Sequence, residues 1–256
     1  VNKEAVIIEV ENARKALAAI SDRFYSSPSE KLTMIAITGT NGKTTTAFLI
    51  ERILQCVGVD VGVIGTLNYR YGGETFRNPM TTPESLDLQR ILADMLRKGI
   101  THVAMEVSSH AIDLHRIDHC CFDVAVFTNL TRDHLDYHGD MESYWRCKKR
   151  LFTEILGSGP QKRRVAAVIN HNNAKGRELL SLLSERADRP MVLSAGDADS
   201  SSIRPQHIEY SSTGMRGRIL TPSGSFEFKS PLVGRHNLEN ILGAVGVGLA
   251  LNLSLA

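Results

Sequence analysis

Short apolar runs recur along the chain, each stopping at a polar cluster. They cover 34–38, 61–65, 102–107, 124–129, 165–170 and 191–194. Runs of this length bounded by turn-forming residues predict buried strands. Segments of helical period separate most of them. The spacing predicts helices over 45–57, closed by Gly58, and over 83–98, with Thr82 as N-cap, Pro83 in the first turn and Gly99 as the stop. Two more helices are predicted over 141–155 and 237–251. Strands alternating with helices predict an α/β fold with a mostly parallel, doubly wound sheet. In such a sheet the ligand lies outside the carboxyl ends of the strands. The polar residues that end the apolar runs are therefore the candidates for chemistry.

Two regions break the alternation. Residues 207–230 read as a small antiparallel β ribbon near the C-terminal end, with a Pro222-Ser223-Gly224 turn between alternating strands. The first thirty residues predict a strand over 6–10, a helix with Ala13, Ala16, Leu17 and Ile20 facing inward, and a linker around Ser26-Ser27-Pro28-Ser29. That opening is too small to be a domain.

The first strong run ends in Thr38-Gly39-Thr40-Asn41-Gly42-Lys43-Thr44-Thr45. Strand, glycine loop and helix start form the context of a phosphate-binding P-loop. Glycines let the backbone turn tightly and bring N–H groups close to an anion. Lys43 adds a point charge, and the helix N-terminus aims its dipole at the phosphates. Thr44 is placed to put a hydroxyl on Mg²⁺. The first glycine of the full motif would fall at Ile37, so only Gly-x-x-Gly-Lys-Thr is intact.

Other strand ends carry further candidates. Glu106 is either a solvated carboxylate or a Mg²⁺ ligand, since hard cations take carboxylate oxygen. Ser108, Ser109, His110 and Arg116 follow it and suit an anionic substrate. After Asn129 comes Asp133-His134-Leu135-Asp136, where the histidine is either a surface residue or a ligand. On the helix over 141–155, Tyr144, Lys148, Leu151 and Phe152 share one face. Lys148 should therefore point inward rather than into solvent, while Lys149 points about 100° away.

Composition changes this picture little. The chain has 256 residues, 42% hydrophobic and 23% charged, which allows one large domain or two small ones. The net charge of +2 gives no argument for nucleic acid or a membrane surface, and no run is long enough to insert in a membrane. The four cysteines, Cys56, Cys120, Cys121 and Cys147, lack metal spacing and read as reduced, which predicts a cytoplasmic location.

Five segments together resemble the Mur ligase family, and within it the MurE type. They are the P-loop, Met80-Thr81-Thr82-Pro83-Glu84, Met105–His110, Phe127–Gly139 and Gly234–Asn240. The resemblance covers about 33–251 and implies an ATP-dependent acid–amino-acid ligase of peptidoglycan synthesis. It implies ATP binding by Gly39, Thr40, Asn41, Gly42, Lys43, Thr44, Thr45, Asn237 and Asn240. It implies Mg²⁺ on Thr44, Glu106, His134 and a carbamylated Lys148, with Lys43, Lys148 and His134 serving catalysis. Thr81, Thr82, Ser108 and Arg116 match positions that hold a UDP-muramoyl substrate, and Leu114 falls where some members carry a Gln. The expected substrates are UDP-N-acetylmuramoyl-L-Ala-D-Glu and meso-diaminopimelate or lysine, acted on by a monomer. By the same resemblance, 1–30 would end an N-terminal UDP-binding domain and 31–256 would be the central ATP-binding domain, with the C-terminal domain absent. Such a chain alone is expected to form no tripeptide. A folylpolyglutamate synthetase-like ligase and a non-catalytic nucleotide-binding module are the alternatives. A P-loop kinase or GTPase would want an Asp where Glu106 stands.

Overall fold

The structure, a computed structural model, describes residues 7–160, 162, 165–186 and 190–254. Helices α1 (Ala13–Phe24) and α2 (Pro28–Lys31) lead into strand β1 (Thr33–Thr38) and helix α3 (Lys43–Cys56). Strands β2 (Val61–Ile64), β3 (Asn68–Tyr71) and β4 (Glu74–Arg77) precede α4 (Ser85–Arg97), β5 (His102–Glu106) and α5 (Ser109–Asp113). Next come β6 (Val124–Phe127), α6 (Leu135–His138), α7 (Met141–Arg150) and a π-helical turn (Leu151–Ile155). The chain continues through β7 (Ala166–Asn170), α8 (Ala174–Ser184) and β8 (Met191–Ala195). Strands β9 (Arg204–Ser211), β10 (Gly214–Thr221) and β11 (Gly224–Ser230) then lead to α9 (Arg235–Ala250).

The main sheet has eight strands in the order β4-β3-β2-β5-β1-β6-β7-β8. The five pairings from β2 across to β8 are parallel, while β3 runs antiparallel to both β2 and β4. The chain builds outward from β1 on one side and then, from β6, on the other. Such a reversal opens a crevice at the carboxyl ends. Register fixes what meets there: Ile37 lies beside Glu106, and Thr38 beside Phe127. One face of β1 packs Met34 and Ala36 into a core with α4, α7 and α8, while the other packs Ile35 and Ile37 against α3 and α9. Residues buried on both faces explain why the strands read as continuous apolar runs rather than alternating ones.

Several expectations need correction. α4 begins at Ser85, not 83, because the Thr82 hydroxyl is not a cap: it donates to the Glu106 backbone oxygen at 2.9 Å. α3 begins at Lys43, two residues before the predicted start, so Lys43 and Thr44 form its first turn. The helix predicted over 141–155 ends at Arg150 and passes into the π turn, where Leu156 N–H donates to Leu151 O at 2.8 Å. α1 turns opposite to its predicted face. Ala18 and Ser21 are buried, whereas Leu17 and Ile20 are exposed. Of the strand predicted over 6–10, Val6 lies outside the described residues and 7–10 form no strand. The ribbon predicted over 207–230 is present as a separate antiparallel sheet of three strands, β11-β10-β9.

Candidate active site at the carboxyl edge of the sheet

The loop from β1 to α3 is built around two glycines with positive φ, Gly39 at 145° and Gly42 at 85°. A Cβ on Gly39 would lie 2.0 Å from Thr128 Oγ1, and one on Gly42 would lie 2.3 Å from Asn240 Oδ1. The loop is thus clasped between β6 and α9. Asn129 completes the clasp: its Oδ1 accepts from Asn41 N–H at 2.9 Å and its Nδ2 donates to Asn41 O at 3.1 Å. Lys43 folds back over the loop and donates to Gly39 O and Thr40 O at 3.1 and 2.9 Å. Burial holds its ammonium below the ordinary lysine range, against the pull of Glu106 and Asp133. Thr45 lies in the first turn of α3.

Glu106, at the end of β5, is buried, and three donors hold its carboxylate. Thr44 Oγ1 donates to Oε2 at 3.0 Å, Thr66 Oγ1 to Oε2 at 2.9 Å, and Thr66 N–H to Oε1 at 3.1 Å. The carboxylate lies so close to Gly65 that a Cβ there would sit 2.2 Å from Oε1. A threonine hydroxyl beside a carboxylate is a hard-oxygen donor set of the kind Mg²⁺ takes. Among the described residues no group of three or more His, Cys, Asp or Glu converges as a ready metal cluster. The residues therefore fit a cation that arrives with phosphate and water ligands of its own, as Mg²⁺ does with a nucleotide.

The 80–84 segment is fastened to the same strand end. Thr82 Oγ1, besides donating to Glu106 O, accepts from Ser108 N–H at 3.1 Å. Arg116 donates to Thr82 O at 3.2 Å and pairs with Glu84 at 2.8 Å. Its buried Nε has no partner. A buried guanidinium N–H left open beside Thr82 and Ser108 suits an anionic or carbonyl-bearing ligand. Thr81 Oγ1 lies 3.1 Å from Thr66 Oγ1.

Lys148 is buried, as its helix face predicts, together with Tyr144, Leu151 and Phe152. Its Nζ donates to Gly39 O at 2.9 Å and sits 4.8 Å from the centre of the Tyr144 ring. Burial, and then the charge on Lys43, bring its ammonium down to about 7. Lys149 is only half-buried. The ring of His134 stands 6.0 Å from the Tyr144 ring on a residue with φ of 51°. It also meets His110 edge-on at 5.0 Å. The structure thus joins Thr44 to Glu106, and places His134 and Lys148 around Tyr144, without a direct contact between the two pairs. Asn240 reaches Thr46 Oγ1 at 3.4 Å and Asn237 Oδ1 at 3.2 Å. It borders a cavity of about 530 Å³ that continues from the loop past Asn170 and His236.

Thr66, Asn129 and Tyr144 hold this site and carry no role in the sequence reading. Thr66 was findable there, since it is the first polar residue after the second apolar run.

A family model described as the Mur ligase middle domain matches residues 37–248. The chain belongs to the Mur ligase family. This Mur ligase chain is 48% identical, over 96% of its length, to a protein of Geobacter metallireducens named UDP-N-acetylmuramoyl-L-alanyl-D-glutamate--2,6-diaminopimelate ligase. A protein of the same name from Geobacillus kaustophilus is 40% identical over 97% of the chain. The Mur ligase chain spans about half the length of the curated relatives it matches, 47% and 50% in these two. A solved structure titled as a ligase of the same name superposes with a TM-score of 0.82 at 29% identity, covering 94% of the chain and 49% of that structure. MurF from Acinetobacter baumannii, at 23% identity and a TM-score of 0.74, shares the fold and is covered to 50%, against 100% of this chain.

Proposed function

We propose that this chain is the ATP-binding core of a ligase that joins 2,6-diaminopimelate to UDP-N-acetylmuramoyl-L-Ala-D-Glu through an acyl phosphate. The names of relatives up to 48% identical support the substrates. One observation carries the reading. Glu106 offers its carboxylate to Thr44 of the phosphate loop and its backbone oxygen to Thr82 of the 80–84 segment, an arrangement that would bring the two reactants together at one strand end.

The reaction brings a carboxylate up to a triphosphate, so opposing charge must be neutralised as it develops. The loop N–H groups and Lys43 would hold the β- and γ-phosphates. Thr44 and Glu106 would hold a Mg²⁺, whose charge draws electron density from the phosphates. Arg116, through its free Nε, together with Thr81, Thr82 and Ser108, would orient the muramoyl substrate. The substrate carboxylate attacks the γ-phosphorus and ADP leaves. The amine of diaminopimelate then attacks the carbonyl carbon, loses a proton and expels phosphate. Orientation of this kind contributes about 7–11 kcal/mol to such reactions. Asn240 and Asn237 would line the nucleotide side.

Lys148 fits a second role. Its buried amine, as the neutral form, would add CO₂, forming an N–C bond and releasing a proton. The resulting carbamate and His134 would hold a second Mg²⁺. The location proposed is the cytoplasm, where ATP is supplied, and no described helix is long and apolar enough to cross a membrane.

Calorimetric titration with Mg-ADP tests the nucleotide half of this reading. Lys43→Ala should weaken binding at least tenfold. Equal affinity in the variant and the wild type would remove the P-loop assignment.

A further inference from the structure

The hydroxyls around Glu106 form a chain whose polarity can be read from chemistry. A carboxylate oxygen only accepts hydrogen bonds. Thr66 has a single hydroxyl proton, and its 2.9 Å contact with Glu106 Oε2 uses it. The 3.1 Å contact between Thr66 Oγ1 and Thr81 Oγ1 then needs its proton from Thr81. Thr81 has no other hydroxyl proton to give. What it turns outward is lone pairs alone.

We propose that Thr66 is the positioning residue for Glu106 and that, through this relay, it makes Thr81 an obligate acceptor toward the muramoyl substrate. The inference rests on the ligase reading for the identity of that substrate. Thr81 would therefore take an amide N–H or a hydroxyl of the substrate and discriminate against an oxyanion or carbonyl at the same place. Oxyanions are left to Arg116, whose buried Nε is open. The two neighbours thus divide the substrate's polar groups by hydrogen-bond sense. Thr66 is suited to this role because its backbone N–H also binds Glu106, at Oε1, so one residue orients both oxygens. Gly65 makes the approach possible, and its carbonyl is tied down by buried Asn78 Nδ2 at 2.8 Å. Thr44 remains compatible with a cation, because its proton goes to Glu106 and its lone pairs stay free.

Neutron diffraction from a deuterium-exchanged crystal of the wild-type protein reads the relay directly. The expected result is deuterium on Thr66 Oγ1 directed at Glu106 and on Thr81 Oγ1 directed at Thr66. Deuterium on Thr66 directed at Thr81 would overturn the assignment. The positioning role is read by Mn²⁺–ADP affinity, followed by electron paramagnetic resonance. Thr66→Val should bind about tenfold more weakly, Thr66→Ser should match the wild type, and Thr81→Val should stay within twofold because Glu106 keeps its three donors. Unchanged affinity in Thr66→Val, or an equal loss in Thr81→Val, would refute it. A wild-type protein that binds no Mn²⁺–ADP would sink the ligase reading instead, and the neutron result would stand apart from it.

Discussion

Replacing Lys148 by Met should stabilise the fold while removing the amine proposed to carry the carbamate. The Lys148 side chain is buried beside Tyr144, and its ammonium is brought from 10.5 down to about 7. Each pH unit between unfolded and folded pKa is worth about 1.4 kcal/mol. The full interval sets an upper cost of roughly 4–5 kcal/mol for keeping the charge in the fold. A depressed lysine pKa means that this cost is complete below about 7, shrinks as pH rises toward 10.5, and is gone above it. Met has similar length and no charge. It leaves Gly39 O partnered, since Lys43 also donates to it at 3.1 Å. After relaxation, the Met variant should be more stable by about 1–4 kcal/mol at pH 6.5. The advantage should narrow steadily toward pH 9.5. Urea unfolding in CO₂-free buffer at several pH values measures both quantities. A Met variant less stable than the wild type at pH 6.5, or a difference independent of pH, would refute the argument.

Three further outcomes are expected. Gly65→Ala should displace the Glu106 carboxylate, because the new Cβ would fall 2.2 Å from Oε1, and Mg²⁺-dependent nucleotide affinity should drop more than tenfold by calorimetry. In the protein that carries this chain, Lys148→Ala should be nearly inactive and partly rescued by a small added carboxylic acid. Lys149→Ala should stay near the wild type, and a reversed outcome in the ligation assay would show the helix phase to be wrong. Asn129→Ala should release the Asn41 peptide from its paired hydrogen bonds at 2.9 and 3.1 Å and raise the Kd for ADP several-fold, with little change in melting temperature.

The parallel sheet was legible because each buried strand had to be an apolar run, and each run ended at the edge where ligands bind. Lys148 was legible because a helix face is a matter of spacing, and Tyr144, Leu151 and Phe152 marked it. Four features were not. The π turn after Arg150 has no periodic signature, since it inserts into a helix that still looks regular. The β3–β4 hairpin turns at Gly72-Gly73, a signal present in the sequence, but its strands carry Tyr, Arg, Glu and Thr rather than an apolar run. The face of α1 was misjudged because small Ala18 and Ser21, not Leu17 and Ile20, are buried. Thr82 was read as a cap by local rules. Its hydroxyl is instead taken by Glu106 and Ser108, partners 24 and 26 residues away that only the fold brings near.

In the proposed reaction a substrate carboxylate takes the γ-phosphate before the amine arrives. The measurement that meets it most directly uses UDP-N-acetylmuramoyl-L-Ala-D-Glu with ¹⁸O in the reacting carboxylate, together with Mg-ATP, 2,6-diaminopimelate and the protein that carries this chain. If the carboxylate oxygen attacks phosphorus and leaves with it, the inorganic phosphate must carry one ¹⁸O for each amide bond formed. Unlabelled phosphate, or phosphate released at the same rate without the muramoyl dipeptide, would contradict the account.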